Sequence, residues 1–171
     1  MSTDALPDRV TERDLQLLRQ AIALSAESRS RKRHPFAALV ADRQGNVWVE
    51  CFNDSKPPTG DPTCHAERLA AAQAARIIPA EKLAECTLST SAEPCAMCAG
   101  AIYWCGISRV VYGLSEERLL ALTGDDPENP TLSLPCREVL VRGQRKVAVW
   151  GPWLEDEAAV PHHQFWRPAG D

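Results

Sequence analysis

The sequence predicts an α/β fold in which short strands and helices alternate within one domain, residues 1–171. Length and composition allow it, because 171 residues with 44% hydrophobic and 25% charged residues suffice for a folded core. The second and third of five strand-like runs each lead into a helical stretch, which is typical of parallel strands joined by crossover helices. The five apolar runs are residues 36–41, 47–52, 86–91, 109–113 and 146–150.

The chain begins with a predicted helix. Thr11 has the features of an N-cap, Glu12 and Asp14 place acidic groups in the first turn, and an apolar face continues to about Ser30. The basic run 29–33 follows. These residues could stabilise the C-terminus of the helix, where cations are favourable, or they could bind phosphates. Because the formal net charge of the chain is −4, we favour the structural role.

The first two strand-like runs are joined by a turn-rich link, residues 42–46, and are predicted to pair as an antiparallel hairpin. The next segment, residues 54–63, contains too many prolines, glycines and aspartates for regular structure and is predicted to be a loop. This loop leads into an alanine-rich helix, residues 64–78, which Pro79 ends. Because alanine side chains are small, this composition predicts that the helix packs closely over the sheet.

The third strand leads into a second apolar helix, residues 95–105, which ends at Gly106. After the fourth strand we predict a helix at 115–122, a proline-rich loop at 123–137 and then the fifth strand. The tail, residues 152–166, is predicted to be helical. Both central helices follow strands, so their N-termini are expected on one side of the sheet.

Zinc ligands occur at the starts of the two central helices. A catalytic zinc site has three protein ligands and leaves the fourth position to water, and His65, Cys95 and Cys98 supply three. The two cysteines lie one helical turn apart, near unpaired N–H groups that favour thiolate. Glu67 would point away from the metal on a regular helix, but at a helix N-terminus it can reach the metal-bound water. We predict one zinc ion per chain, with Glu67 as acid and base.

Two other interpretations use the same cysteines. A Cys-x-x-Cys pair also occurs as a redox dithiol or as half of a structural zinc site. A structural site would need a fourth protein ligand, for which Cys51, Cys64 and Cys105 are candidates. The distant His-x-Glu, the preceding proline and the helices after each motif favour the catalytic site.

His-x-Glu followed by Pro-Cys-x-x-Cys resembles the zinc signature of the cytidine deaminase superfamily. The longer runs 53–67 and 91–104 look like the branch that holds guanine deaminase and tRNA adenosine deaminase, with fungal cytosine deaminase as a neighbour. The resemblance implies a three-layer α/β/α sandwich with a mixed five-stranded sheet. It also implies hydrolytic deamination of a nucleobase, a nucleoside or a base in nucleic acid.

The resemblance further implies a set of substrate contacts. Asn53 would hydrogen-bond the base or sugar, although an Asn at a strand end is also common turn chemistry. The C-terminal aromatic residues resemble a segment that guanine deaminases place over a neighbouring subunit's pocket; alternatively, they anchor a terminal helix. The full set of implied substrate-binding residues is Asn53, Ala66, Trp104, Asp125, Asp126, Phe165 and Trp166.

These features predict the deamination of a small base or nucleoside. The preferred substrate is guanine or a related aminated heterocycle. The alternatives are a tRNA-specific adenosine deaminase, a cytosine deaminase and a non-enzymatic zinc-stabilised interaction protein. A sequence pI near 5.6 argues against a nucleic-acid substrate, because proteins that bind polynucleotides are usually basic.

The sequence also predicts the cellular location and the assembly of the protein. The seven cysteines are odd in number and do not resemble a disulfide framework, and no apolar run has the length of a signal or membrane-spanning segment. We therefore expect a cytoplasmic protein that does not enter membranes. Both central helices are apolar over more than one face, and the resemblance implies a homodimer built through them.

Overall fold

The computed structural model describes residues 6–166 except 57 and 59, and it confirms the α/β fold with a mixed five-stranded sheet. The strands are β1 (Ala37–Ala41), β2 (Val47–Phe52), β3 (Thr87–Ala92), β4 (Arg109–Leu114) and β5 (Ala148–Trp150). The helices are α1 (Glu12–Ser30), α2 (Ala66–Ile77), α3 (Ala80–Leu83), α4 (Ala96–Cys105), α5 (Glu116–Thr123), α6 (Cys136–Leu140) and α7 (Glu155–Ala159), and a 3-10 turn, Val160–His162, follows α7.

The strand order in the sheet is β2-β1-β3-β4-β5. Strand β1 is antiparallel to both of its neighbours, as the predicted hairpin requires. Strands β3, β4 and β5 are parallel, as predicted from the strand-to-helix units. The carboxyl ends of β3 and β4 therefore meet at one edge of the sheet, where the chain turns into α4 and α5.

Helices cover both faces of the sheet. Successive strand residues point to opposite faces, so Val110 packs with α2 and α4 whereas Val111 packs with α1, α5 and α7. The buried face of α2 is formed by alanines, which allow the helix to approach the sheet closely: Ala66, Ala70, Ala71 and Ala74. The three layers implied by the resemblance are thus present, and the core is divided between the two faces.

A buried ion pair fixes the start of α1 to the sheet. Thr11 and Asp14 form the predicted cap as a complete capping box. Arg109, at the start of β4, donates from Nη1 to Asp14 Oδ1 at 2.6 Å and from Nη2 to Oδ2 at 2.9 Å. Burial would raise the pKa of Asp14, but the hydrogen bonds from Arg109 and Thr11 outweigh it and lower that pKa.

The basic run 29–33, at the end of α1 and just after it, makes contacts within the chain. Arg29 donates to the carbonyl oxygens of Pro161 and His163 and so holds the C-terminal segment against α1. Arg33 pairs with Asp54 at 3.2 Å. These contacts support the structural interpretation of the run over phosphate binding.

Several element boundaries differ from the predictions. Helix α2 begins at Ala66 instead of residue 64, because His65 has the extended backbone of an N-cap. Helix α6 starts at Cys136, inside the predicted loop, and five residues are too few to show a helical period. Helix α3 was not predicted. The tail is helical only at α7 and the 3-10 turn. None of the helices in the described part of the chain has the length and apolar character needed to cross a bilayer.

Candidate active site

Two helix N-termini bring the candidate metal ligands together. His65 and Cys95 are the N-cap residues of α2 and α4, and both have extended backbones. Cys98 lies in the first turn of α4. His65 Nδ1 lies 3.6 Å from Cys95 Sγ, and the ligand atoms of His65, Cys95 and Cys98 all lie within 4.8 Å of one another. Around a tetrahedral zinc ion such atoms are about 3.5–3.8 Å apart, so this donor set fits zinc.

The pKa values of the two thiols, Cys95 and Cys98, are shifted in opposite directions. A hydrogen bond from Cys98 lowers the pKa of Cys95 to about 4, against the effect of burial. The same hydrogen bond, together with burial, raises the pKa of Cys98. The hydrogen bond to Cys95 also raises the pKa of His65. A divalent cation would bind both sulfurs as thiolates and release the Cys98 proton, as expected for a thiolate zinc site.

The cluster contains three ligands and not four. Among the described residues, the group that could hold a metal consists of His65, Cys95 and Cys98. Two of the cysteines considered as a fourth ligand have other neighbours: Cys64 Sγ accepts from Arg68 Nη2 at 3.1 Å, and Cys51 Sγ donates to Gln73 at 3.4 Å. Three protein ligands are the number that a catalytic zinc site uses.

Glu67 lies beside the ligands in the first turn of α2. The residue is only 5% exposed, and its Oε2 atom lies 3.8 Å from Cys98 Sγ. Burial raises the pKa of Glu67 to about 7, although the charge of His65 acts in the opposite direction. A carboxyl group with a pKa near neutrality can both accept and release a proton at physiological pH.

Glu67, His65 and Cys95 open into a cavity of about 530 Å³. This volume is in the range of small-molecule sites. Its walls come from the start of β1, the segment after β2, the starts of α2, α4 and α5, and the loop before α6. Besides the three residues already named, the lining is formed by His34, Phe36, Asn53, Ser55, Pro62, Ala92, Glu93, Met97, Glu116, Leu119, Pro127, Glu128, Asn129, Pro130, Thr131 and Leu132.

The cavity is strongly acidic. Four glutamates line it, and the described lining contains neither Lys nor Arg. Glu93 Oε2 accepts the backbone N–H of Glu116, and its Oε1 accepts that of Cys136, both at 3.1 Å. Glu128 Oε2 accepts a hydrogen bond from His34 Nε2 at 2.8 Å. These carboxylates can accept hydrogen bonds from N–H groups and would repel phosphates.

The predicted substrate-binding residues are distributed unevenly around this cavity. Asn53 lines it, and its Oδ1 accepts from the backbone N–H and the hydroxyl of Ser55 at 3.0 and 2.8 Å. Ala66 is fully buried at the start of α2. Trp104 is 77% exposed on α4 and is absent from the described lining. For these three residues a substrate contact stays a prediction.

The other four predicted contacts are also absent from the described lining, and for them too a substrate contact stays a prediction. Asp125 and Asp126 belong to the turn before Pro127, where Asp126 Oδ1 accepts the backbone N–H of Glu128 at 2.9 Å. In the C-terminal segment, the ring centroid of Trp166 lies 5.2 Å from that of His34 and 5.9 Å from that of Phe36. Phe165 packs at 6.0 Å from His34. Both aromatic residues thus support a cavity wall of their own chain.

Sequence reasoning missed several lining residues. His34, Glu93 and Glu116 stand next to predicted elements, but a single charged residue beside a strand or helix gives no signal of a site. The segment 127–132 was predicted only as loop. Its asparagine and proline content predicts turns and does not indicate that the segment folds over the metal ligands.

Comparison with known proteins identifies the family. The cytidine and deoxycytidylate deaminase zinc-binding region matches residues 11–114. The probable cytosine deaminase of Schizosaccharomyces pombe is 42% identical over 157 residues, which cover 92% of this chain and 94% of that protein. The tRNA-specific adenosine deaminase of Haemophilus influenzae is 35% identical over 112 residues, 66% of this chain and 64% of that protein.

Solved structures agree with this assignment. The guanine deaminase of Nitrosomonas europaea superimposes with a TM-score of 0.72 at 25% identity, covering 96% of this chain and 97% of that structure. The sequence match covers more than half of the chain, and the metal ligands coincide with the zinc-binding region. The chain therefore belongs to the cytidine and deoxycytidylate deaminase family and is a zinc-dependent hydrolytic deaminase.

Proposed function

We propose that this deaminase acts on a small aminated heterocycle, guanine or a closely related base or nucleoside. The observation that carries the proposal is the acidic cavity that opens directly on His65, Cys95 and Glu67. Carboxylates accept hydrogen bonds, so the cavity matches bases whose edges carry amino and ring N–H groups. Similarity to the guanine deaminase of Nitrosomonas europaea over almost the whole chain supports the same substrate class.

In the proposed mechanism, Glu67 moves the protons. When bound by His65, Cys95 and Cys98, zinc supplies a Lewis acid that makes water nucleophilic at neutral pH. Glu67 takes a proton from the attacking water and delivers it to the ring nitrogen next to the amine-bearing carbon. In a second transfer, Glu67 takes the remaining proton of the hydroxyl group now on that carbon and gives it to the amine; the carbon–nitrogen bond breaks, a carbonyl forms, and the amine leaves as ammonia. The raised pKa of Glu67, about 7, suits a group that must be an acid and a base in one cycle.

Asn53 and the aromatic C-terminal segment are assigned supporting roles. Asn53 faces the cavity with an amide whose NH2 group can donate to a carbonyl oxygen of the base, while its Oδ1 is held by Ser55. Phe165 and Trp166 hold His34, and through it the loop at Glu128. We propose that these aromatic residues shape the cavity from within the same chain.

The size and charge of the cavity favour a free base or nucleoside over a polynucleotide. RNA binding needs cations that face the phosphates, whereas the described cavity lining has none and the formal net charge is −4. Arg29 and Arg33 could have bound phosphates, but Arg29 donates to the Pro161 carbonyl and Arg33 pairs with Asp54. A role on tRNA is therefore the weaker proposal despite the similarity to tRNA-specific adenosine deaminase.

Cytosine is the second candidate substrate. The 42% identity to a probable cytosine deaminase extends over 92% of the chain, further than the identity to the tRNA enzyme. Cytosine also carries an amine next to a ring nitrogen that Glu67 could protonate. Measurement of ammonia release from guanine and cytosine at equal concentration distinguishes the two candidates.

We further propose a homodimer built through α2 and α4. Ile77 on α2 and Trp104 on α4 are 51% and 77% exposed and would supply apolar surface for such an interface. A cytoplasmic location follows from the need of the zinc thiolates for a reducing environment and is part of the same proposal.

The test of the proposed function is ammonia release by zinc-loaded protein. The panel contains guanine, guanosine, cytosine, adenine and a short adenosine-containing RNA hairpin, with the Glu67→Ala variant as control. We expect turnover of guanine or a related base by the wild-type protein and none by Glu67→Ala. Turnover of the RNA alone would reverse the preference for a small substrate.

A further inference from the structure

Glu116 occupies a position in the cavity that the proposed mechanism does not yet use. It is the first residue of α5, directly after the N-cap Ser115 and the end of β4. Glu93 Oε2 accepts its backbone N–H at 3.1 Å and so fixes where the side chain begins. The side chain lines the cavity together with Leu119, which lies on the same face of α5.

The carboxylate of Glu116 differs from the other three in the cavity in its contacts within the described part of the chain. Glu93 is engaged by two backbone N–H groups, Glu128 by His34, and Glu67 lies against Cys98. Within residues 6–166 as the structure describes them, the Glu116 carboxylate makes no hydrogen bond or ion pair. Burial, with the charges of Cys95 and Glu93, raises its pKa to about 7. A half-buried acceptor facing a ligand cavity is available for a substrate donor.

Glu116 is also close to the reacting end of the cavity. It lines the same cavity as Glu67, His65 and Cys95. Its backbone N–H is bound by Glu93, which lies only two residues before the ligand Cys95 in the chain. The amine-bearing carbon of a bound heterocycle must lie among these groups, so Glu116 can reach an atom next to that carbon and not only the far end of the ring.

The chemistry of the two ring positions beside that carbon then decides what Glu116 selects. In every candidate base one flank is a ring nitrogen that accepts a proton from Glu67. The other flank is a C–H in cytosine and a carbon without hydrogen in adenine, whereas in guanine and isocytosine it is a ring N–H. An ionised carboxylate accepts from an N–H and gains nothing from a carbon atom.

We infer that Glu116 is the specificity-determining residue of this enzyme and selects heterocycles whose amine-bearing carbon lies between two ring nitrogens, one of them carrying hydrogen. The inference rests on the proposed function and narrows its substrate class to guanine-like and isocytosine-like bases. It favours these over cytosine, the second candidate.

The test compares two isomeric pyrimidines, isocytosine and cytosine, which differ in the flank that faces Glu116 but not in size. The variants are Glu116→Ala and Glu116→Gln, with Glu117→Ala as the matched control. Glu117 is the next residue in the same first turn, is exposed and carries the same charge near the same helix N-terminus. It therefore reproduces any effect of Glu116 on the helix dipole or the net charge.

Kinetics give the first measurement. For Glu116→Ala we expect kcat/KM on isocytosine to fall about 10- to 100-fold, the range for a lost hydrogen bond to a charged group, with cytosine changed less than about threefold. Glu116→Gln, which keeps one acceptor oxygen, should lie between Glu116→Ala and wild type. Equal losses on both isomers, or the same pattern in Glu117→Ala, would overturn the inference.

Binding of the two pyrimidines by calorimetry gives a readout that does not need turnover. Binding of isocytosine that depends on Glu116 while no base releases ammonia would refute the proposed deaminase substrate and keep the selecting role of Glu116. Turnover of isocytosine without any effect of Glu116→Ala would keep the function and refute the role. If the wild-type protein binds neither isocytosine nor guanine, both proposals are wrong.

Discussion

Replacing Glu93 by Gln should weaken the attachment of two helices at once. Glu93 is 7% exposed, and its carboxylate accepts one backbone N–H from the first residue of α5, Glu116, and one from the first residue of α6, Cys136. It thus places a negative charge at two helix N-termini, where unpaired N–H groups and the helix dipoles favour it. Gln keeps one acceptor oxygen and turns an NH2 group toward the second N–H.

The magnitude follows from one lost hydrogen bond. A buried hydrogen bond to a charged group contributes about 1.5–3 kcal/mol to the free energy of unfolding, so we expect Glu93→Gln to lower it by about 2–3 kcal/mol. For a chain of this length, each kcal/mol lowers Tm by about 2–4 °C, which gives a decrease of about 4–12 °C.

The assay is thermal and urea unfolding of the zinc-loaded protein, with Glu138→Gln as control. Glu138 is an exposed carboxylate in the first turn of α6, and its replacement should change the free energy of unfolding by less than about 0.5 kcal/mol. If Glu93→Gln changed stability no more than Glu138→Gln, the assignment of Glu93 as a shared cap for α5 and α6 would be incorrect.

Three other predictions concern the metal, the pH dependence and the C-terminus. Glu67→Ala should abolish turnover with one zinc still bound per chain, whereas His65→Ala, Cys95→Ala and Cys98→Ala should lose zinc and stability, because metal binding is coupled to folding. Burial lowers the pKa of His162 to about 3, so the folded state resists its protonation and stability should fall as pH drops below the ordinary value of 6.5. Between pH 7 and 5 this amounts to about 2 kcal/mol in urea unfolding, a slope that His162→Gln should lack. Deletion of residues 161–171 should lower Tm and raise KM, because the acceptors of Arg29 and the rings packed against His34 are lost. The proposed dimer, measured by light scattering, should persist because α2 and α4 are intact.

Each of the three can fail in a recognisable way. Loss of zinc from Glu67→Ala in metal analysis would make Glu67 a ligand and not a proton carrier. An unchanged pH slope in His162→Gln would mean that another group causes the acid sensitivity. A monodisperse monomer at micromolar concentration would contradict the dimer, and a truncated protein with wild-type stability and specificity would contradict the supporting role of Phe165 and Trp166.

The metal site could be predicted from the sequence because its geometry is local. Cys95 and Cys98 are brought together by one turn of α4, and the β3-α4 connection places them beside His65 at the start of α2. Each step follows from helix spacing and from the position of helix N-termini in a parallel sheet. The antiparallel hairpin of β1 and β2 follows from an equally local signal.

The substrate end of the cavity could not be predicted in this way. Glu93 contacts Cys136 across 43 residues, and His34 contacts Glu128 across 94 residues. No periodic pattern marks such pairs, because they depend on where loops lie in the folded chain. Helix α6 could not be predicted for the same reason, because it is only five residues long and its first N–H is bound by the distant Glu93. The exposure of Trp104 likewise depends on what lies next to α4 in the folded chain.

The division of the cavity between two parts of the chain has a consequence for how such enzymes diversify. The metal ligands, Glu67 and Asn53 lie within residues 11–114, the part that matches the family. Glu116, Leu119 and the loop 127–132 lie after it and form the facing wall. New substrates can therefore arise by exchange of this later segment, while the proton chemistry is inherited unchanged.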